Sequence, residues 1–248
     1  MADNQEFMKR AERQHLKENE LRNLALSARE TFEAKKRETT MTIGIVAVVG
    51  ALAIGYFAWR ETVQNRAHGL LAEAVAVQDA RIGPPPAPGQ PEQGLRFATE
   101  RERAQAALTK FKVAADAYPS TDAGLYARYQ EGATQMTLGN ASGAASAFQQ
   151  VIDKGGSDFY AQMARLGLAE AQASSGQYDA AIKTFQELSQ RKDGPLPVDG
   201  ILMQLAKTYL DAGKRTEAQQ TFNRLVDEYP ESPFTGDARR ELDALKKT

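Results

Sequence analysis

The chain has no cysteine, which removes disulfide frameworks, thiol nucleophiles and cysteine metal sites, and leaves its redox compartment open. Histidine is almost as scarce. His15 and His68 are the two in 248 residues, and a long apolar run separates them, so neither a histidine metal site nor a catalytic triad can assemble. There is no Walker motif, no dinucleotide fingerprint and no alternation of basic and aromatic residues of the kind that grips single-stranded nucleic acid. Acidic pairs such as Glu100/Glu102 and Glu228/Glu231 stand among Arg101, Arg103 and Arg224, the pattern of a solvated helix face rather than of a paired acid and base. A formal net charge of −1 supplies no general attraction to nucleic acid or to anionic lipid. These absences point away from an enzyme and from any cofactor, and towards a protein that binds other proteins.

Charge is also missing locally. From Thr39 to Trp59 no residue is charged, and Ile43–Trp59 is apolar enough to cross a bilayer as one helix. A signal peptide is the rival reading, but its apolar core is normally ~7–15 residues behind a short basic start, and no A-x-A cleavage site follows here. The chain therefore divides into a charged tail (1–40), a transmembrane helix (41–60), a helix continuing outward (61–82), a Pro/Gly-rich loop (83–94) and a folded domain (95–248). Arg22, Arg29, Lys35, Lys36 and Arg37 precede the span, whereas Arg60 and Arg66 are the basic residues close behind it. That bias predicts a cytoplasmic N-terminus and a domain exported across the membrane. Ala47, Ala51 and Gly55 share one face of the span, where small residues allow close packing with another helix or a second copy; ordinary transmembrane composition is the competing explanation. In the tail, Leu21, Leu24, Ala28 and Phe32 fall at helical spacing and offer a narrow apolar stripe. The run of prolines from Pro84 reads as a stiff loop between two helices, with a polyproline ligand as the alternative.

Beyond the loop the chain repeats. Ala107/Phe111, Ala144/Phe148, Ala181/Phe185 and Ala218/Phe222 recur every 37 residues, and Gly139, Gly176 and Gly213 keep the same step, each five residues before its alanine. A glycine there lets a chain leave one helix and turn into the next, so the unit is a helical hairpin. Hairpins of this kind cannot bury their apolar faces alone and must stack. The spacing predicts an all-α solenoid of about four hairpins, the first made of residues 62–82 and 95–118.

Leu205, Ala206, Tyr209, Gly213, Ala218, Phe222 and Pro230 match the spacing of the tetratricopeptide repeat, and Tyr118-Pro119 repeats the closing Tyr229-Pro230. The resemblance implies a groove on the first helices of the hairpins. It places Tyr126, Tyr129, Met136, Met163, Leu166, Met203 and Leu210 on those helices, where flexible methionines suit varied apolar partners. The competing reading puts these side chains in the core between hairpins. Positions that hold Lys and Asn in carboxylate-clamping repeats carry Tyr129, Ala133, Leu166 and Glu170, so capture of a chain terminus is not expected.

The whole arrangement, a short tail, one span with its N-terminus inside, and a small repeat domain outside, resembles the YfgM-like family of bacterial inner-membrane proteins. The resemblance implies a periplasmic domain and a chaperone-like accessory role at the Sec translocon. Its partners would be translocon subunits, a membrane-anchored chaperone and exported unfolded chains, and no nucleic acid. The alternative, suggested by the similarity of Tyr229-Pro230-Glu231-Ser232 to repeats of division and outer-membrane assembly factors, is a scaffold of the cell envelope or division machinery.

Overall fold

The computed structural model describes residues 2–84, 94–155, 159–191 and 194–247, with side chains up to residue 39 described only at 26, 27, 29 and 30. The tail stripe of Leu21, Leu24, Ala28 and Phe32, and residues 85–93 of the proline-rich loop, lie outside the described residues. The chain forms two compact units, Met1–Glu61 and Thr62–Thr248.

The first unit consists of the larger part of α1 (Ala2–Gln78). Thr40–Gln78 holds the one helix, among the described residues, that is long and apolar enough to cross a membrane. Its apolar side chains are turned outward: Ile43, Val46, Leu52, Ile54 and Trp59 are each about 60–75 % accessible. Ala47, Ala51 and Gly55 are exposed as well, and a methyl group placed on Gly55 would meet no atom within 4 Å.

In the second unit every described element except one short strand pair is helical. The C-terminal turns of α1 pair with α2 (Glu100–Ala117), and three hairpins follow: α3 (Asp122–Thr137) with α4 (Ala141–Gly155), α5 (Phe159–Ser174) with α6 (Tyr178–Ser189), and α7 (Val198–Asp211) with α8 (Arg215–Glu228). A last helix, α9 (Thr235–Lys246), lays Ala238 and Leu242 over the end of the stack. Each Ala/Phe pair lies on the second helix of its hairpin and is buried, from Phe111 and Phe222 at 0 % to Phe148 at 2 % exposure.

The three recurrent glycines share one geometry. Gly139, Gly176 and Gly213 have φ of +78°, +78° and +74°. Each glycine N–H reaches back to the carbonyl three residues earlier, and the next N–H to the carbonyl five residues earlier; in the first turn Gly139 N bonds Met136 O at 2.9 Å and Asn140 N bonds Gln135 O at 2.8 Å. This paired closure of a helix C-terminus needs a left-handed residue, which is why glycine keeps the 37-residue step.

The first hairpin is shorter than its sequence suggests. The helix expected through residue 82 closes at Gln78, and the one expected from 95 opens at Glu100. Between them Arg81–Ile82 (β1) and Arg96–Phe97 (β2) form a parallel pair, with Arg81 N donating to Leu95 O at 3.2 Å and Gly83 N to Phe97 O at 3.0 Å. The prolines beginning at Pro84 force an extended approach, which the short ladder satisfies. Thr99 then caps α2 by accepting from Glu102 N at 3.2 Å, while Glu102 reaches back to the Ala98 N–H.

Polar links tie the hairpins together. Arg128 on α3 joins Asp116 on α2 to Glu131 on its own helix, and both Arg128 and Glu131 are about nine-tenths buried. Gln186 Nε2 donates to Tyr209 Oη at 2.6 Å, and Arg224 donates to the Ser189 carbonyl at 3.2 Å.

Candidate functional site

The register of the first helices brings one row of side chains to the surface. On α3, Tyr129, Ala133 and Met136 are spaced four and three apart; on α5, Phe159, Met163, Leu166, Gly167 and Glu170 repeat that spacing, so each set lies on one face. The two faces line a cleft of about 480 Å³, floored by Phe148 from α4 and walled by Pro195, Leu196 and Pro197 of the segment leading into α7. That volume falls within the ~300–1,000 Å³ of sites that hold ligands.

Phe148 fixes how closely the walls approach. Its ring lies 5.6 Å from that of Tyr129, and it fills the space beside two glycines. A Cβ on Gly132 of α3 would come within 2.7 Å of the ring, and one on Gly167 of α5 within 2.6 Å. The phenylalanine is thus clamped between two helix backbones, and the absence of side chains at 132 and 167 is what admits it.

A second depression of about 360 Å³ continues along α5 and α7, lined by Met136, Glu170, Ser174, Gln204, Lys207 and Asp211 among others. Met136 and Glu170 border both. The groove is therefore apolar on the α3–α5 side and polar on the α7 side.

Glu170 is the one carboxylate lining the apolar cleft among the described residues. Burial among those side chains pushes its pKa above the usual carboxylate value. The Tyr129 phenol is also raised, first by its own burial and then by the charges of Glu170 and Tyr126.

The predicted groove residues are divided by the fold. Tyr129, Met136, Met163 and Leu166 line the cleft. Tyr126 instead packs its ring 5.7 Å from that of Tyr160 and accepts a hydrogen bond from Gln130 Nε2 at 2.6 Å. Met203 belongs to the core, 4 % exposed within the cluster around Leu202, Leu205 and Ala206, and Leu210 packs on the same cluster. The correction is one of helix register: on α7 the accessible face passes through Gln204, Lys207 and Asp211, one residue on from Met203 and from Leu210. Phe159 and Pro195–Pro197 were not singled out by sequence. The sequence signal that could have found them is an apolar Pro-Leu-Pro in a loop; Phe159 stands out only in the fold, where it is half-exposed at the start of α5.

Among the described residues no three His, Cys, Asp or Glu side chains gather as a metal site would require. His68 is exposed on α1.

Comparison with known proteins agrees with the repeat fold. Residues 34–194 match the tetratricopeptide repeat-like domain, and residues 201–232 match a tetratricopeptide repeat. No curated protein matches the chain. Among solved structures, a putative kinesin light chain of Podosopora anserina with nearly identical TPR-like repeats superposes with a TM-score of 0.55, at 14 % identity, covering 73 % of this chain and 86 % of that one. A point variant of that protein gives 0.56 over 73 % and 85 %, also at 14 % identity. A thermophilic TPR protein of Thermus thermophilus aligns at 18 % identity over 59 % of this chain and 92 % of that one, with a TM-score of 0.31. At 14 % identity the likeness to the kinesin light chain is one of fold.

Proposed function

The chain belongs to the tetratricopeptide repeat-like domain family, whose repeats are protein–protein interaction modules, and from that premise we propose that it is a membrane-anchored binder of extended apolar protein segments. The observation that carries the proposal is the cleft of about 480 Å³ on the first helices of two hairpins, walled by Tyr129, Met136, Met163 and Leu166 and opening to solvent. Methionine and aromatic walls adapt to many apolar side chains, and no fixed cation stands among the lining residues to demand a carboxylate partner. A disordered client gives up conformational entropy on docking, so binding is weak and broad.

The finer reading places the protein at the bacterial inner membrane, with its N-terminus in the cytoplasm and its repeats in the periplasm. There it acts as a chaperone-like accessory of the Sec translocon. Its support is the uncharged Thr39–Trp59 segment, the basic residues that precede it and the resemblance to the YfgM-like family. The test is the partner set. The full chain drawn from its own cells in mild detergent should bring translocon subunits and a membrane-anchored chaperone with it. Recovery of division or envelope-assembly proteins in their place would move the protein to the scaffold class. Alkaline phosphatase fused at Thr248 should be active, and an inactive fusion would reverse the topology and remove the export role.

A further inference from the structure

We infer that the segment held in the α3–α5 cleft carries one lysine or arginine among its apolar residues, and that this cation pairs with the Glu170 carboxylate. The inference rests on the protein-binding reading above and specifies the chemistry of what is bound.

Glu170 stands at the junction of the two halves of the groove, with Tyr129 facing it from α3 and with Lys207 and Asp211 of α7 bordering the depression on its other side. No lysine or arginine forms an ion pair with it among the described residues, and burial is what raises its pKa. Three other carboxylates of the repeat unit show the alternative. Glu131 pairs with Arg128, Asp179 with Lys214 and Glu73 with Lys110. An ionised carboxylate set among Tyr129, Met136 and Met163 has lost part of its hydration without gaining a partner, which is unfavourable.

A ligand changes that balance in a way that depends on its charge. A wholly apolar segment would strip more water from Glu170 and return nothing. An acidic one would add repulsion. A segment that fills the cleft with apolar side chains and brings one cation to its edge satisfies the carboxylate, and the neighbouring aromatic ring of Tyr129 favours a cation as well. The site thus selects for its ligand partly by what it penalises. A small amine or a metal ion would leave the apolar walls uncovered, so a peptide segment fits and a free cation does not.

The test uses the full chain in nanodiscs of zwitterionic lipid, with empty nanodiscs subtracted. Three terminally blocked, fluorescein-labelled peptides share a frame of alternating leucine and serine and differ at one central residue, Lys, Gln or Glu. Anisotropy titrations should rank them Lys, Gln, Glu, with about tenfold or more between the extremes, the size expected of a charge pair formed away from bulk water. Glu170→Gln should bring the Lys and Gln peptides within about twofold of each other, with the Gln peptide bound at least as tightly as by the parent because no charge is left to desolvate, and Glu170→Lys should reverse the ranking. Circular dichroism checks that each variant keeps its helix content; if Glu170→Lys does not fold, the parent ranking and Glu170→Gln decide. Equal binding of all three peptides by the parent, or a lysine preference that survives Glu170→Gln, overturns the charge inference and leaves the protein-binding reading standing. If none of the peptides binds at millimolar concentration, both are lost.

Discussion

Gly167→Ala adds a single methyl group to α5, and on a solvent-facing helix that change would help: alanine is favoured over glycine in a helix interior by about 1 kcal/mol. Here the methyl carbon would stand 2.6 Å from Phe148 Cζ, with two further ring carbons at 2.8 Å. Non-bonded carbons settle at about 3.5–4.0 Å, so the ring would have to move by roughly 1 Å. It has nowhere to go, because its opposite side already meets Gly132, where a Cβ would be 2.7 Å away. Overpacking of a close-packed interior costs about 1–3 kcal/mol, and a ring held between two backbones belongs at the upper end. Subtracting the propensity gain leaves a net loss of about 1–2 kcal/mol. The assay is urea denaturation of a fragment beginning at Thr62, where the repeat unit begins, followed by circular dichroism. Gly69→Ala is the control of opposite sign: it lies in α1, with no atom within 4 Å of the added Cβ, and should stabilise by about 0.5–1 kcal/mol. Combining Gly167→Ala with Phe148→Leu should recover part of the loss, with a coupling of about 1 kcal/mol, since the smaller side chain gives back the space. A Gly167→Ala fragment as stable as the parent, or more stable, would refute the clamp on Phe148 and with it the account of how α3 and α5 are spaced around the cleft.

Three further outcomes follow from the same packing. Phe185→Ala empties a position that is 1 % exposed between hairpins and should cost about 3–5 kcal/mol in the same denaturation experiment; a cost under about 1 kcal/mol would contradict its burial. Met163→Gln should weaken peptide binding with helix content unchanged, whereas Met203→Gln buries an amide in the core and should lower stability by about 1–3 kcal/mol, and equal behaviour of the two would contradict their placement. Glu170 has its pKa raised in the folded state, so its contribution to stability is complete below the unfolded carboxylate value and is lost as pH rises through the folded one. The melting temperature of Glu170→Gln should therefore exceed that of the parent at neutral pH, with the gap closing as pH falls below about 4, and a gap independent of pH would contradict the shift.

The repeat architecture was legible because its determinants are local and periodic. A left-handed turn requires glycine at Gly139, Gly176 and Gly213, and a buried ring recurs four residues after each alanine from Ala107 to Ala218, so the spacing alone identifies the hairpins. The long apolar helix was legible for the same reason, as an unbroken run. What escaped was decided by tertiary packing. The pairing of Arg81–Ile82 with Arg96–Phe97 joins segments separated by the proline-rich loop, and no local pattern announces a two-residue ladder. Met203 and Lys207 differ by about one helical turn, yet one is core and the other borders the groove, because α7 presents its apolar face to both α6 and α8. The fit of Phe148 between Gly132 and Gly167 arises only when three helices come together, so no spacing within one helix announces it.

Docking of clients in the proposed cleft between α3 and α5 would place them against Met163. A photo-crosslinking amino acid placed at Met163, inside the cleft, and at Lys183, exposed on α6 outside it, tests that claim most directly in cells that are exporting an arrested secretory chain. Irradiation should give an adduct with the arrested chain from position 163 and none from position 183. Equal adducts from both positions, or an adduct from position 183 alone, would contradict docking in the cleft.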